Sequence, residues 1–230
     1  MIIDENSRNI LKEKFKNELK REVELFFFTK KEEEIPFEQL QSHLHHNEEN
    51  KHCHFCDFVR RFLKELEEIS EGKIKFREFE VDSEEGRKYS LERIPTVMID
   101  PEKGYRIIYT GSPIGEESWA FIDTIIKVSK DESGLSLESK EKLKGIKGSE
   151  IKVFVTPECP YCPYQVLLVN SIAIEAKGRV KSECIESLEN PDLAEKYNVM
   201  AVPYTLLNGK KEVIGVQNEK EFIDTLLKSE

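Results

Sequence analysis

No stretch of this chain approaches the roughly 18 consecutive apolar residues that a membrane-crossing helix needs, so no membrane span is expected. The first residues, Met1-Ile2-Ile3-Asp4-Glu5-Asn6, lack a basic region followed by an apolar stretch, and the cytoplasm is the expected location. Basic residues are outnumbered: 35 Lys and Arg against 45 Asp and Glu leave a net charge of −10, which repels a polyanion and excludes nucleic acid as a partner. Tryptophan occurs once and cysteine five times. What remains is a chain of 230 residues, 38% hydrophobic, long enough for one large domain or two of about 100 residues. Its 35% of charged residues, mostly Glu and Lys, give a solvated surface of the kind common in thermophile proteins.

Scarce as they are, four of the five cysteines fall into two Cys-x-x-Cys pairs, Cys53-His54-Phe55-Cys56 and Cys159-Pro160-Tyr161-Cys162. Each pair is followed, at nearly the same separation, by an apolar residue and a proline, Ile94-Pro95 and Val202-Pro203. One module is thus written twice. The polar, turn-rich stretch from Ser129 to Gly134 divides the chain into units 1–130 and 131–230. A single Cys-x-x-Cys is a redox dithiol, a structural disulfide or half of a zinc site; two at equivalent places of a repeat favour redox chemistry.

The pattern along each half is the same. In the second, a strand over 150–155 leads into Cys159, and the following helix is apolar on nearly every side, as expected of a helix buried against a sheet. A strand (179–185), a helix (191–197), a strand (203–207), the hairpin signal Asn208-Gly209, a strand (212–216) and an amphipathic helix complete it. The first half repeats this with strands over 23–28, 74–81, 96–99 and 105–109 and helices from Cys53, over 84–89 and over 117–128. Leading helices are expected over 9–20 and 136–144. A β-α-β unit followed by a hairpin and a helix is a mixed sheet with helices on both faces.

Cys159-Pro160-Tyr161-Cys162 is the sequence typical of glutaredoxins, and both halves resemble thioredoxin-fold units. A tandem of two such units resembles the protein disulfide oxidoreductases of thermophilic archaea and bacteria. The likeness includes Phe154-Val155-Thr156-Pro157, Val199-Met200-Ala201-Val202-Pro203 and Tyr109-Thr110-Gly111-Ser112-Pro113-Ile114-Gly115. It implies an α/β fold of two tandem thioredoxin-fold units, each a central mixed β-sheet flanked by helices. The implied activity is thiol-disulfide oxidoreduction on protein disulfides, serving cellular redox homeostasis. No cofactor is implied beyond the redox-active disulfides themselves. The implied partners are proteins with disulfides or dithiols, a peroxiredoxin among them, and an electron donor that is a thioredoxin reductase-like flavoprotein or a small thiol.

Placed just before a helix, the first cysteine of each pair faces unpaired N–H groups and the positive end of the helix, which favour its thiolate. Cys53 and Cys159 are therefore the candidate nucleophiles, with Cys56 and Cys162 as resolving thiols. The resemblance makes Pro95 and Pro203 the family's cis-prolines, and Ile94 and Val202 the residues whose backbone pairs with an extended substrate. His54 beside Cys53 would, as a cation, stabilise that thiolate, so the two dithiols are expected to differ in potential.

The halves differ in one respect. Where the second has Thr156, Pro157 and Glu158 before Cys159, the first has a polar insertion, about 29–52. His43, His45, His46, His52 and His54 all lie in or beside it. The alternative reading is a zinc- or copper-binding protein that uses this insertion with Cys53 and Cys56 and keeps redox activity only in the second unit, although no standard zinc spacing is present. Cys184, in an apolar-edged strand, reads as a buried inert thiol, and Trp119 as packing.

Overall fold

In the computed structural model, residues 2–30, 53 and 55–230 are described. Their local structure follows from capping and apolar period. Asp4 Oδ1 accepts from Ser7 N at 3.0 Å and starts α1 (Glu5–Glu18), four residues earlier than the apolar pattern alone indicates. Ser83, Ser136 and Asn218 cap α3 (Glu84–Tyr89), α5 (Leu137–Leu143) and α8 (Glu219–Lys228) in the same way. Each such cap stabilises its helix by about 1 kcal/mol. The remaining elements are β1 (Val23–Thr29), α2 (Cys56–Ile69), β2 (Ile74–Glu80), β3 (Thr96–Ile99), β4 (Ile107–Thr110), α4 (Glu117–Lys130), β5 (Ser149–Val155), α6 (Cys162–Glu175), β6 (Val180–Glu186), α7 (Pro191–Lys196), β7 (Tyr204–Leu207) and β8 (Lys211–Ile214). Asn208 and Gly209 both take positive φ, as the tight turn between β7 and β8 requires. β4 begins at Ile107 rather than Tyr105, whose hydroxyl is engaged by Asp131 instead.

The eight strands of the described residues form one sheet in the order β2-β1-β3-β4-β6-β5-β7-β8. Each half supplies four strands in the same arrangement: a parallel pair (β1 with β2, β5 with β6), then two antiparallel neighbours. The halves join where β4 pairs in parallel with β6, Thr110 opposite Ile185. One mixed sheet thus runs through both thioredoxin-like units, where the sequence suggested a sheet apiece.

The main core lies on one face of the sheet and continues across this join, from Leu25 and Phe27 through Tyr109 and Phe121 to Val153, Val169 and Phe222. Alternation along β1 sends Phe26 and Phe28 to the other face, where they pack with Met98, Ile108 and the partly buried Tyr89. Phe154, Ile185, Tyr204 and Leu206 do the same in the second half, beside the partly buried Leu193 and Tyr197. Strands covered on both faces read as continuous apolar runs, which is what Leu25-Phe26-Phe27-Phe28 shows. α6 packs along α4. Between them Asn170, fully buried, donates to Tyr109 Oη at 2.9 Å and Thr124 Oγ1 at 3.0 Å and accepts from Ser182 Oγ at 2.5 Å.

Strand direction positions the chemistry. The end of β1 faces the start of β3 (Phe28 opposite Thr96), which faces the end of β4, which lies beside the ends of β6 and β5. Both prolines, and the chain leaving β5 toward Cys159, are therefore at the same end of the sheet.

Candidate active site

The second dithiol stands at the start of α6, directly after the turn that follows β5. Cys159 N donates to Thr156 O at 3.1 Å, which curls the chain so that Cys159 precedes the helix. Cys159 and Cys162 are joined in a disulfide, with Cα atoms 5.5 Å apart. Cys162 N donates to Cys159 Sγ at 3.1 Å, so the first amide of α6 is aimed at the sulfur. Cys159 keeps 8% of its surface exposed and Cys162 none. Within this pair Cys159 is therefore the more exposed residue and Cys162 is sealed.

The first dithiol repeats the pairing, Cys53 with Cys56, Cα atoms 5.3 Å apart, with Cys53 partly exposed and Cys56 buried. Here Cys56 N donates to Cys53 O at 3.3 Å. A cavity of about 450 Å³ adjoins it, lined by Thr29, Cys53, Cys56, Asp57, Arg60 and Glu78 among others. Arg60 is paired with Asp57 and with Glu78, its Nη2 lying 2.7 Å from Glu78 Oε1. Glu78 and Asp57 together hold the Arg60 guanidinium above its ordinary range, against its partial burial.

The peptide bonds Ile94–Pro95 and Val202–Pro203 are both cis. Each proline carbonyl accepts a hydrogen bond at 2.8 Å from the glycine that ends the hairpin it opens, Gly111 after β4 in the first half and Gly215 after β8 in the second. The flanks of these edges differ. In the second half a Cβ on Gly215 would meet nothing within 4 Å, and Ala201, Met200 and Val216 are exposed, as are Tyr161 and Tyr164 beside Cys162. In the first, a Cβ on Gly111 would lie 2.7 Å from Glu186 Cβ, and Arg93, two places before Pro95, is bound to Asp192 and Asn190 of the second half.

The second dithiol also depends on the first half. Glu116 N donates to Pro157 O at 2.9 Å, two residues before Cys159, and Gly115 packs so closely that a Cβ there would lie 2.3 Å from the same oxygen. Trp119 meets Tyr164 edge to face at 5.3 Å, the packing role the sequence suggested. Glu117, 2% exposed, has Oε1 without a hydrogen-bond partner, and burial pushes its carboxyl up to about 8. Burial likewise raises Glu186 and Glu189 at the join. Cys184 Sγ lies 4.0 Å from Glu117 Oε2, and burial, with the nearby carboxyls, pushes that thiol well up, in keeping with an inert cysteine.

The sequence reading named all four paired cysteines and both proline edges. It missed Arg93, Gly115, Glu117 and Asp192, whose importance comes from contacts between halves; only Gly115 lay within a stretch already singled out. His43, His45, His46, His52 and His54 lie outside the described residues, and the metal reading with them. Among the described residues no group of three or more His, Cys, Asp or Glu is placed to hold a metal ion. Nor is any described helix long and apolar enough to cross a membrane.

The thioredoxin domain family matches residues 149–228. A thioredoxin of Methanocaldococcus jannaschii is 35% identical over 79 residues, which are 34% of this chain and 93% of that protein. Over its whole length the chain is similar to a protein disulfide oxidoreductase from Aeropyrum pernix K1, with 32% identity, a TM-score of 0.81, and coverage of 97% of this chain and 92% of that one. The fold is shared as well with the NTD_N/C domain of an alkylhydroperoxide reductase from Enterococcus faecalis, at 21% identity, a TM-score of 0.79, and coverage of 97% and 99%.

Proposed function

We propose that this chain, which belongs to the thioredoxin family and is a thiol-disulfide oxidoreductase, exchanges electron pairs with protein disulfides chiefly through Cys159 and Cys162. The observation that carries the assignment is the Cys162 amide 3.1 Å from Cys159 Sγ, with Cys159 the more exposed of the pair and Cys162 sealed. An N–H aimed at the sulfur from the positive end of α6 stabilises the thiolate of Cys159 in the reduced protein. That thiolate attacks one sulfur of a substrate disulfide. The substrate S–S bond breaks, a mixed disulfide forms, and the released substrate thiolate takes a proton. Cys162 then gives up its proton and attacks Cys159 Sγ, which frees the second substrate thiolate and closes Cys159–Cys162. Two electrons pass from the enzyme dithiol to the substrate, and the disulfide described above is the product state.

Val202 and Pro203 are the edge on which an extended substrate strand would lie, flanked by the exposed Tyr161 and Met200. Ile94 and Pro95 hold the equivalent place at Cys53 and Cys56, the second exchanging pair, and the two units divide at 130/131. The electron pair is carried by the disulfides without a further cofactor. A cytoplasmic flavoprotein reductase or small thiol regenerates the dithiols, and oxidised proteins, peroxiredoxins among them, consume them. β1 and β5, the strands that lead toward the two dithiols, are four strand positions apart, about 19 Å across the sheet.

Dithiol-dependent reduction of insulin disulfides tests the assignment. Cys159→Ser is expected to lose activity and Cys53→Ser to keep part of it; indifference to both changes would reject it.

A further inference from the structure

We infer that Arg93 is a specificity-determining residue that closes the peptide edge of the first dithiol, leaving Cys53 and Cys56 to exchange with low-molecular-weight thiols and disulfides. The inference deepens the proposed exchange chemistry and rests on it. A strand that pairs with the backbone of the residue before the cis proline must pass the residue preceding that one. At the second dithiol this is Ala201, short and exposed. At the first it is Arg93, whose guanidinium donates from Nη1 to Asp192 Oδ1 at 2.9 Å and Asn190 Oδ1 at 3.2 Å, and from Nη2 to Asp192 Oδ2 at 2.5 Å. The two-pronged carboxylate contact fixes direction as well as distance.

The anchor is itself held. Asn190, buried, donates from Nδ2 to Glu186 O at 2.9 Å and to Thr110 O, the last residue of β4, at 3.5 Å. Ser112 N donates to Glu189 Oε1 at 3.1 Å. The side chain of Arg93 therefore reaches past the end of β4 to the second half, and Glu186, Glu189 and Asn190 occupy the flank beside Gly111 whose counterpart beside Gly215 is open. An extended polypeptide meets this barrier; a small molecule has the cavity of about 450 Å³ beside Cys53 and Cys56, a size usual for small-molecule sites. Its lining includes polar side chains, with Arg60 paired to Asp57 and Glu78. The exchange has the stoichiometry given above: the small disulfide gains two electrons and is released as two thiols while Cys53–Cys56 forms.

The test uses the full chain with Cys159→Ser and Cys162→Ser, which isolates the first dithiol, and compares reduction of insulin with reduction of glutathione disulfide. The background is expected to reduce glutathione disulfide and to reduce insulin far more slowly. Adding Arg93→Ala, or Asp192→Ala from the other side of the contact, is expected to raise the insulin rate roughly tenfold while leaving the glutathione disulfide rate within about twofold, which also shows that each variant is folded. An insulin-to-glutathione ratio unchanged in both variants overturns the inference and leaves the dithiol chemistry of Cys53 and Cys56 standing. Failure of the background to reduce either disulfide overturns the inference together with the exchanging role of that pair.

Discussion

Two places before Pro203 the chain presents Ala201 to solvent; two places before Pro95 it presents Arg93, locked to Asp192 and Asn190 of the other half. The cysteines, the helix that follows them and the proline–glycine hydrogen bond are otherwise repeated. The difference comes from how the halves are joined. β4 is an inner strand because β6 pairs with it, whereas β8, its counterpart, is the edge of the sheet. The surface beside Gly215 is consequently open and that beside Gly111 is occupied by 186–192. The two halves repeat the dithiol, and the pairing of β4 with β6 gives the two copies different flanks.

The comparison is broken most strongly by removing the first cysteine of one pair at a time. Cys159→Ser is expected to lower insulin reduction about a hundredfold or more, and Cys53→Ser to lower it only a few-fold, read as turnover with excess dithiol. Gly115→Ala should act on one site only. A Cβ at 2.3 Å from Pro157 O, at a residue with φ of +61°, forces the turn before Cys159 to move. Alkylation of Cys159 is expected to change by about tenfold, with Cys53 in the same molecule as the unchanged control.

Smaller effects come from the join. Asn170→Ala removes one hydrogen-bond partner from each of the hydroxyls of Tyr109, Thr124 and Ser182 and is expected to lower unfolding free energy by about 2–3 kcal/mol, measured by denaturant titration. The smallest is pH dependence from Glu117. Its folded pKa, about 8, lies above the ordinary glutamate value of 4.5, so the folded state holds an extra proton between these values. The stability this confers is complete below pH 4.5 and is lost as pH rises through 8. Glu116, Glu186 and the Cys184 thiol face the same region and disfavour a second negative charge. Glu117→Gln is expected to leave the melting temperature near that of the wild type at pH 5 and above it at pH 9.

Much of this was legible beforehand because it is written in short-range pattern. The Asn208-Gly209 turn, the all-round apolar surface of α6, the Phe-rich β1 and the two Cys-x-x-Cys pairs each carry their structural meaning within a few residues. The early start of α1 was missed because Asp4 acts through a cap rather than through apolar period. The pairing of β4 with β6 and the contact of Arg93 with Asp192 join residues far apart in sequence, and no local pattern encodes them. The asymmetry between the sites lies in that unencoded part, which is why a repeat read from sequence suggests two equivalent active sites.

Covalent trapping after replacement of the second cysteine of each pair tests the account most directly. Cys162→Ser, reduced and mixed with insulin, is expected to hold an insulin chain as a mixed disulfide on Cys159, visible by mass spectrometry. Cys56→Ser is expected to trap glutathione on Cys53 from glutathione disulfide and, in a Cys159→Ser/Cys162→Ser background, little insulin. Trapping of insulin on Cys53 as readily as on Cys159 would contradict it.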